Sequence, residues 1–204
     1  MPSVARLRPR SIQCHMCTTL EDVRADAIER LINAVCDRKS PLHSPVVATG
    51  DADARVMVLR EFDADAWTLR FHTDARAPKV AVIEADNRLC VLGYDKAEKV
   101  QLRLRGKGTI ARDGPEVDAA WEESTNFARR CYLGEGPGAI SAEPTSGLPP
   151  RFEGCEPDDD ELLPARENFA ILKIEVFEID WFSLAHTGHR RALLGRESAK
   201  WIAP

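Results

Sequence analysis

Residues 99–111 alternate with a period of two. Val100, Leu102, Leu104 and Gly106 fall on one parity, and Gln101, Arg103, Arg105 and Lys107 on the other. Successive side chains of a strand point to opposite faces, so this stretch is a long strand with one apolar and one cationic face. Shorter apolar runs separated by turn residues surround it. Residues 46–49, 55–62 and 66–73 read as strands joined by turns at Gly50, Asp51 and Asp53 and at residues 63–65, which makes an antiparallel meander. Residues 88–94 form a further strand, and residues 169–179 alternate again. Residues 181–184 and 189–194 read as a closing hairpin around Thr187 and Gly188. Helices are predicted at three places. The first starts at Thr19, where Asp22 completes an approximate capping box, and ends before Pro41. The others span residues 78–85 and 115–132. Short antiparallel connections predict a mainly β (α+β) fold: an antiparallel closed or split β-barrel with flanking helices, not a parallel α/β sheet.

The chain has 204 residues, enough for one domain with a sizeable core. Residues 1–18 carry no period and are expected to be a mobile tail. Residues 19–204 are expected to be a single domain, carrying a long loop at 134–165 rich in Gly, Pro and acidic residues. No apolar run approaches the length of a bilayer span. The net charge of -5 excludes a global basic field for nucleic acid. The six cysteines are irregularly spaced, and Cys36, Cys90 and Cys131 lie in apolar-periodic stretches, as reduced thiols of a cytoplasmic protein do. Cys14 and Cys17 form a Cys-x-x-Cys without a second pair, so no metal site is expected. Gly134-Glu135-Gly136 follows no strand and lacks a third glycine. No Walker A loop and no Gly-x-Ser-x-Gly elbow occurs.

The remaining candidates are polar residues at strand ends. Arg55 opens a strand and Arg60 closes it. Their parities are opposite, so both face one ligand only if the strand twists, bulges or ends between them. Phe71, His72 and Thr73 end the next strand, and Lys79 stands at the head of a short helix whose first amides favour an anion. Gln101 and Arg103 project together from the long strand. Such a set can cradle a phosphate beside a planar ring. It is equally consistent with a solvated cationic face held by surface ion pairs.

In this order the residues resemble the pyridoxamine 5′-phosphate oxidase-like FMN-binding split-barrel family. The family's Arg-x-Val-x-Leu-Lys strand corresponds to Arg55-Val56-Met57-Val58-Leu59-Arg60, and its Phe-Tyr-Thr strand end to Phe71-His72-Thr73. Its Ser-Arg-Lys or Ser-Pro-Lys helix start corresponds to Ala77-Pro78-Lys79, and its Gln-Val-Arg-x-x-Gly strand begins at Gln101. The closing Trp-and-Arg hairpin corresponds to Trp181 through Arg190 and Arg191. The resemblance implies a homodimer with FMN at the subunit interface. Arg55, Arg60 and Lys79 would hold the FMN phosphate beside Thr73. His72 and the backbone near Val58 would approach the ring or ribityl chain, and Gln101 the isoalloxazine. Trp181, Arg191 and Arg190 would come from the other subunit. No catalytic side chain is implied, because a flavin carries the hydride chemistry itself. The family's Tyr-x-x-x-Arg-x-x-x-Ser segment, which holds a substrate phosphate, is here Tyr132, Gly136 and Ile140. That departure favours an FMN-dependent oxidoreductase with another substrate. A genuine pyridoxamine or pyridoxine 5′-phosphate oxidase and a non-catalytic flavin-binding or sensing protein are the alternatives.

Overall fold

The computed structural model describes residues 17–204. Cys14 and most of the expected tail lie outside the described residues. Helix α1 (Leu20–Cys36) starts where Thr19 Oγ1 accepts from Asp22 N at 3.1 Å and Asp22 Oδ2 accepts from Thr19 N at 3.0 Å. Both groups satisfy amides that the first helical turn leaves free. Val23, Ala27, Leu31 and Ala34 recur at helical spacing and are buried against the sheet.

Nine strands follow: β1 (Val46–Ala48), β2 (Ala54–Val56), β3 (Leu59–Asp63), β4 (Thr68–Asp74), β5 (Arg88–Asp95), β6 (Val100–Ala111), β7 (Phe169–Ser183), β8 (Arg190–Leu194) and β9 (Ala199–Ile202). All pair antiparallel, in the order β2-β1-β5-β6-β7-β4-β3. The single strand expected over residues 55–62 is in fact two. β2 and β3 lie at opposite ends of this path, yet only Met57 and Val58 separate them. Seven flat strands would put the two ends roughly 29 Å apart. Three Cα steps span at most about 11 Å. The sheet must therefore curl until its ends meet. The junction is held where Met57 N donates to Pro45 O at 3.0 Å and Leu59 N to His43 O at 2.9 Å.

Strand β7 is where the sheet divides. Its first half pairs with β4 and its last residues pair with β8, while β6 runs along its other edge throughout. The register between β6 and β7 shifts at Arg105 and Gly106, so the sheet bends at that bulge. A Cβ on Gly106 would stand 2.6 Å from Glu175 O, a backbone atom with no freedom to retreat. Gly106→Ala is expected to destabilise the fold by about 1–3 kcal/mol, read as a lowered urea midpoint with an unchanged m-value. An unchanged midpoint would contradict the close packing at the bulge.

Helix α2 (Pro78–Ala85) forms where expected and buries Val80 and Ile83. The helix expected over residues 115–132 is broken into α3 (Pro115–Glu122), α4 (Asn126–Arg129) and a 3-10 turn at Arg130–Leu133. The break has a side-chain cause. Thr125 Oγ1 caps α4 by accepting from Ala128 N, and the Arg129 guanidinium folds back to donate to Trp121 O and Glu122 O, ending α3. The segment at 134–165 is not structureless. It carries a 3-10 turn at Pro150–Phe152 and helix α5 (Asp159–Leu162), which the acidic run caps through Asp158 and Glu161. Leu162 joins Val117, Ala120, Trp121, Phe169 and Ile171 in a second small core beside the main one. The closing hairpin is present, but β9 follows it as an additional strand.

Candidate functional site

The residues expected to bind a ligand fall into three groups. The first surrounds the N-terminus of α2. Arg55 is fixed by Nη1 donating to Val47 O at 3.2 Å and to Thr49 Oγ1 at 3.1 Å, and its Nη2 pairs with Asp53. Lys79 is half-buried and makes no ion pair within 4.0 Å among the described residues. Burial holds its ammonium below the usual lysine range. The neighbouring Arg55 lowers it further, and Asp74 and Asp53 oppose this. A lysine without an ion pair and an arginine that acts on it, at a helix start no side chain caps, suit a phosphate better than a neutral ligand. Thr73 stands beside them at the end of β4 but is buried, its hydroxyl donating to Asp74 O at 3.4 Å.

The second group contains Arg60. It lies on β3, beyond the break at Met57 and Val58, and its charge acts on His72 and Tyr132. His72 is packed edge-on to Phe169 at 5.0 Å, and its Nε2 is buried without a partner. Burial, then the charges of Arg60 and Arg70, push its pKa down to about 4, so the ring is neutral at physiological pH. Phe169 also meets Tyr132 edge-on at 5.2 Å. Burial raises the Tyr132 hydroxyl well above its usual range. Arg70, which the sequence did not single out, pairs with Glu61 at 2.7 Å and Glu123 at 3.5 Å.

The third group lies on the outer face of the sheet. Gln101 stands opposite Phe182, and Phe182 opposite Arg191, so the three form one row across β6, β7 and β8. Arg191 donates Nε and Nη2 to Asp180 at 2.9 and 2.7 Å, and Arg103 pairs with the same carboxylate from β6. Arg190 donates to Cys17 O at 3.0 Å. Trp181, which the resemblance implies reaches a flavin from another subunit, is 3% exposed in the core of its own chain. Its Nε1 donates to Asp26 Oδ2 at 2.7 Å, and Asp26 also pairs with the buried Arg30. Strand parity explains this: Leu102 and Trp181 face inward together, and Phe182 takes the outward place.

Three neighbours were missed from sequence. Asp53 and Asp74 are the acids closest to the first group, and Arg76 locks Asp74 through Nε at 3.0 Å and Nη2 at 2.7 Å. Arg76 Nη1 also donates to Gly134 O at 3.0 Å, tying the 134–149 segment to the corner that carries Lys79. The density of acids in residues 51–53 could have signalled Asp53; nothing local signals Asp74 or Arg76.

Residues 17–112 match the family model described as pyridoxamine 5′-phosphate oxidase, FMN-binding domain. No curated protein matches the chain. Among solved structures, a pyridoxamine 5′-phosphate oxidase-related, FMN binding protein from Nostoc punctiforme PCC 73102 has a TM-score of 0.68 at 23% identity, covering 88% of this chain and 96% of its own. PhzG from Burkholderia lata 383, solved with tetrahydrophenazine-1-carboxylic acid, has a TM-score of 0.61 at 14% identity, covering 92% and 95%. A protein related to general stress protein 26 from Clostridium acetobutylicum has a TM-score of 0.53 at 12% identity, covering 84% and 94%. At these identities the structures establish the shared split-barrel fold. Residues 17–112 are thus similar to the pyridoxamine 5′-phosphate oxidase FMN-binding domain, and the chain as a whole shares the split-barrel fold of these structures.

Proposed function

We propose that the protein binds FMN through its phosphate at the Arg55–Lys79 corner and acts as an FMN-dependent oxidoreductase. The observation that carries this reading is the pair itself: a half-buried lysine without an ion pair, held beside a fixed arginine at an uncapped helix start, within the segment that matches the FMN-binding family. The residues fit the group. A phosphate dianion takes hydrogen bonds from both cations, and the neutral His72 offers one unpartnered ring nitrogen to an uncharged part of the ligand. The flavin, once bound, supplies the hydride transfer, and the chain binds and orients it.

We further propose a homodimer within the cytoplasm, with residues 19–204 as one domain. The outer sheet face supports a self-association surface. Val56 (64% exposed), Leu92 (37%) and Tyr94 (45%) are apolar or aromatic and lie on it, with Gln101 and Arg191 on the same side. A vitamin B6 phosphate substrate is disfavoured. Gly136 lies over Arg76, Ile140 is fully exposed, and neither can grip an anion. No helix among the described residues is long and apolar enough to cross a membrane.

The test is to purify the protein, record its visible spectrum and determine its mass in solution. The expected result is a dimer carrying, or taking up from added FMN, one flavin per chain, with no turnover of pyridoxamine or pyridoxine 5′-phosphate. A protein that stays colourless in excess FMN would overturn the reading.

A further inference from the structure

The Arg55–Lys79 corner is not a simple positive hole. Asp53 pairs with Arg55, and Asp53 and Asp74 both act on Lys79. Asp51, which accepts from Thr49 Oγ1 at 2.6 Å, is held below the usual carboxylate range by that bond, with Arg55 contributing. The acids differ in how firmly they are held. Asp74 is buried and locked by Arg76, so it is part of the frame. Asp53 is the opposite case. Its side chain is 66% exposed against 20% for Arg55, so their pair lies on the open side of the guanidinium. The inner side is already committed to Val47 O and Thr49 Oγ1. An anion approaching Arg55 from solvent therefore meets the position that Asp53 holds.

We propose that Asp53 is a built-in competitor for this anion site, displaced when a phosphate monoester binds, and that it thereby sets the site's selectivity for dianions. The inference rests on the phosphate-site reading above. The exchange is local. Asp53 ends the tight turn between β1 and β2, in which Ala52 adopts a left-handed φ of 66°, and its pair with Arg55 spans only two residues. Opening that pair breaks no sheet hydrogen bond, because Ala54 N donates to the other oxygen, Asp53 Oδ1, at 2.8 Å. A monoanion offers Arg55 nothing that the carboxylate does not already supply. A dianion also engages Lys79, and only that second contact makes the exchange favourable.

The test compares FMN and riboflavin, which lacks the phosphate, as probes titrated by flavin fluorescence against the full chain and its Asp53→Asn variant. Asparagine keeps the acceptor for Ala54 N, and a thermal melt without ligand checks that the fold is intact. The expected result is FMN binding tightened by about 3–5-fold in the variant, the scale of one exposed ion pair. Riboflavin binding should be unchanged, and the gain should shrink at high salt. FMN binding by both proteins with an unchanged or weaker constant in the folded variant would overturn the role of Asp53 alone. Failure of both proteins to bind FMN would overturn the phosphate-site reading itself, and this inference with it.

Discussion

Lys79→Ala and Arg55→Ala should each weaken FMN binding by about 1.5–3 kcal/mol, roughly 10- to 100-fold in dissociation constant. The reason is geometric. Lys79 comes from the first turn of α2 and Arg55 from the edge strand β2, and the Lys79 ammonium, disfavoured by burial and by the Arg55 charge, gains from an anion bound beside it. Arg55 is already fixed on its inner side by Val47 and Thr49, so little ordering remains for it to lose on binding. The two losses should not add, because both residues address one phosphate. Riboflavin affinity should change little in either variant. Equal losses for FMN and riboflavin would mean that the residues support the fold or the ring rather than the phosphate.

Asp180→Ala should produce the largest loss of stability. Asp180 is 1% exposed and holds Arg103 from β6 and Arg191 from β8, bridging strands on both sides of β7. Removing one partner of a buried pair leaves uncompensated charge and costs about 3–5 kcal/mol. Arg103 and Arg191 retain partial access to water, which brings the expected cost to about 2–3 kcal/mol. Urea unfolding monitored by tryptophan fluorescence reads it as a lower midpoint at constant slope. The pH dependence follows from the carboxyl itself. Burial raises its pKa, but the hydrogen bonds from Arg191 and Arg103 outweigh burial and leave it below the ordinary value of 3.8. The folded state therefore binds this proton less readily than the unfolded chain. The stabilisation is complete above the unfolded pKa and is lost as pH falls through the folded one. The gap between the native protein and Asp180→Ala should close in acid. A gap that persists there would assign the bridge to packing rather than charge.

Much of this architecture was legible in the residue pattern, for local reasons. The period of two in β6 survives because both of its edges are paired, and its parity is visible as alternating burial. The α1 capping box and the Pro78 helix start are also local, and both formed as read. What failed depended on contacts between distant segments. Nothing in residues 55–62 announces that the strand must cross from one end of a curled sheet to the other, because that crossing follows from closure. The helix expected over residues 115–132 broke on the capping by Thr125 and the return of Arg129, side-chain effects that periodicity does not register. The place of Trp181 likewise depends on strand parity and on a distant acid on α1. Among the candidate ligands, Arg55 acts on Lys79, while Arg60, beyond the break after Val56, acts on His72 and Tyr132.

A crystal structure of the protein with FMN tests the phosphate site most directly. The account expects phosphate oxygens within hydrogen-bond distance of Lys79 Nζ and the Arg55 guanidinium, with Asp53 turned away. A phosphate lodged instead against Arg60, His72 and Tyr132, or a flavin bound away from the head of α2, would contradict it.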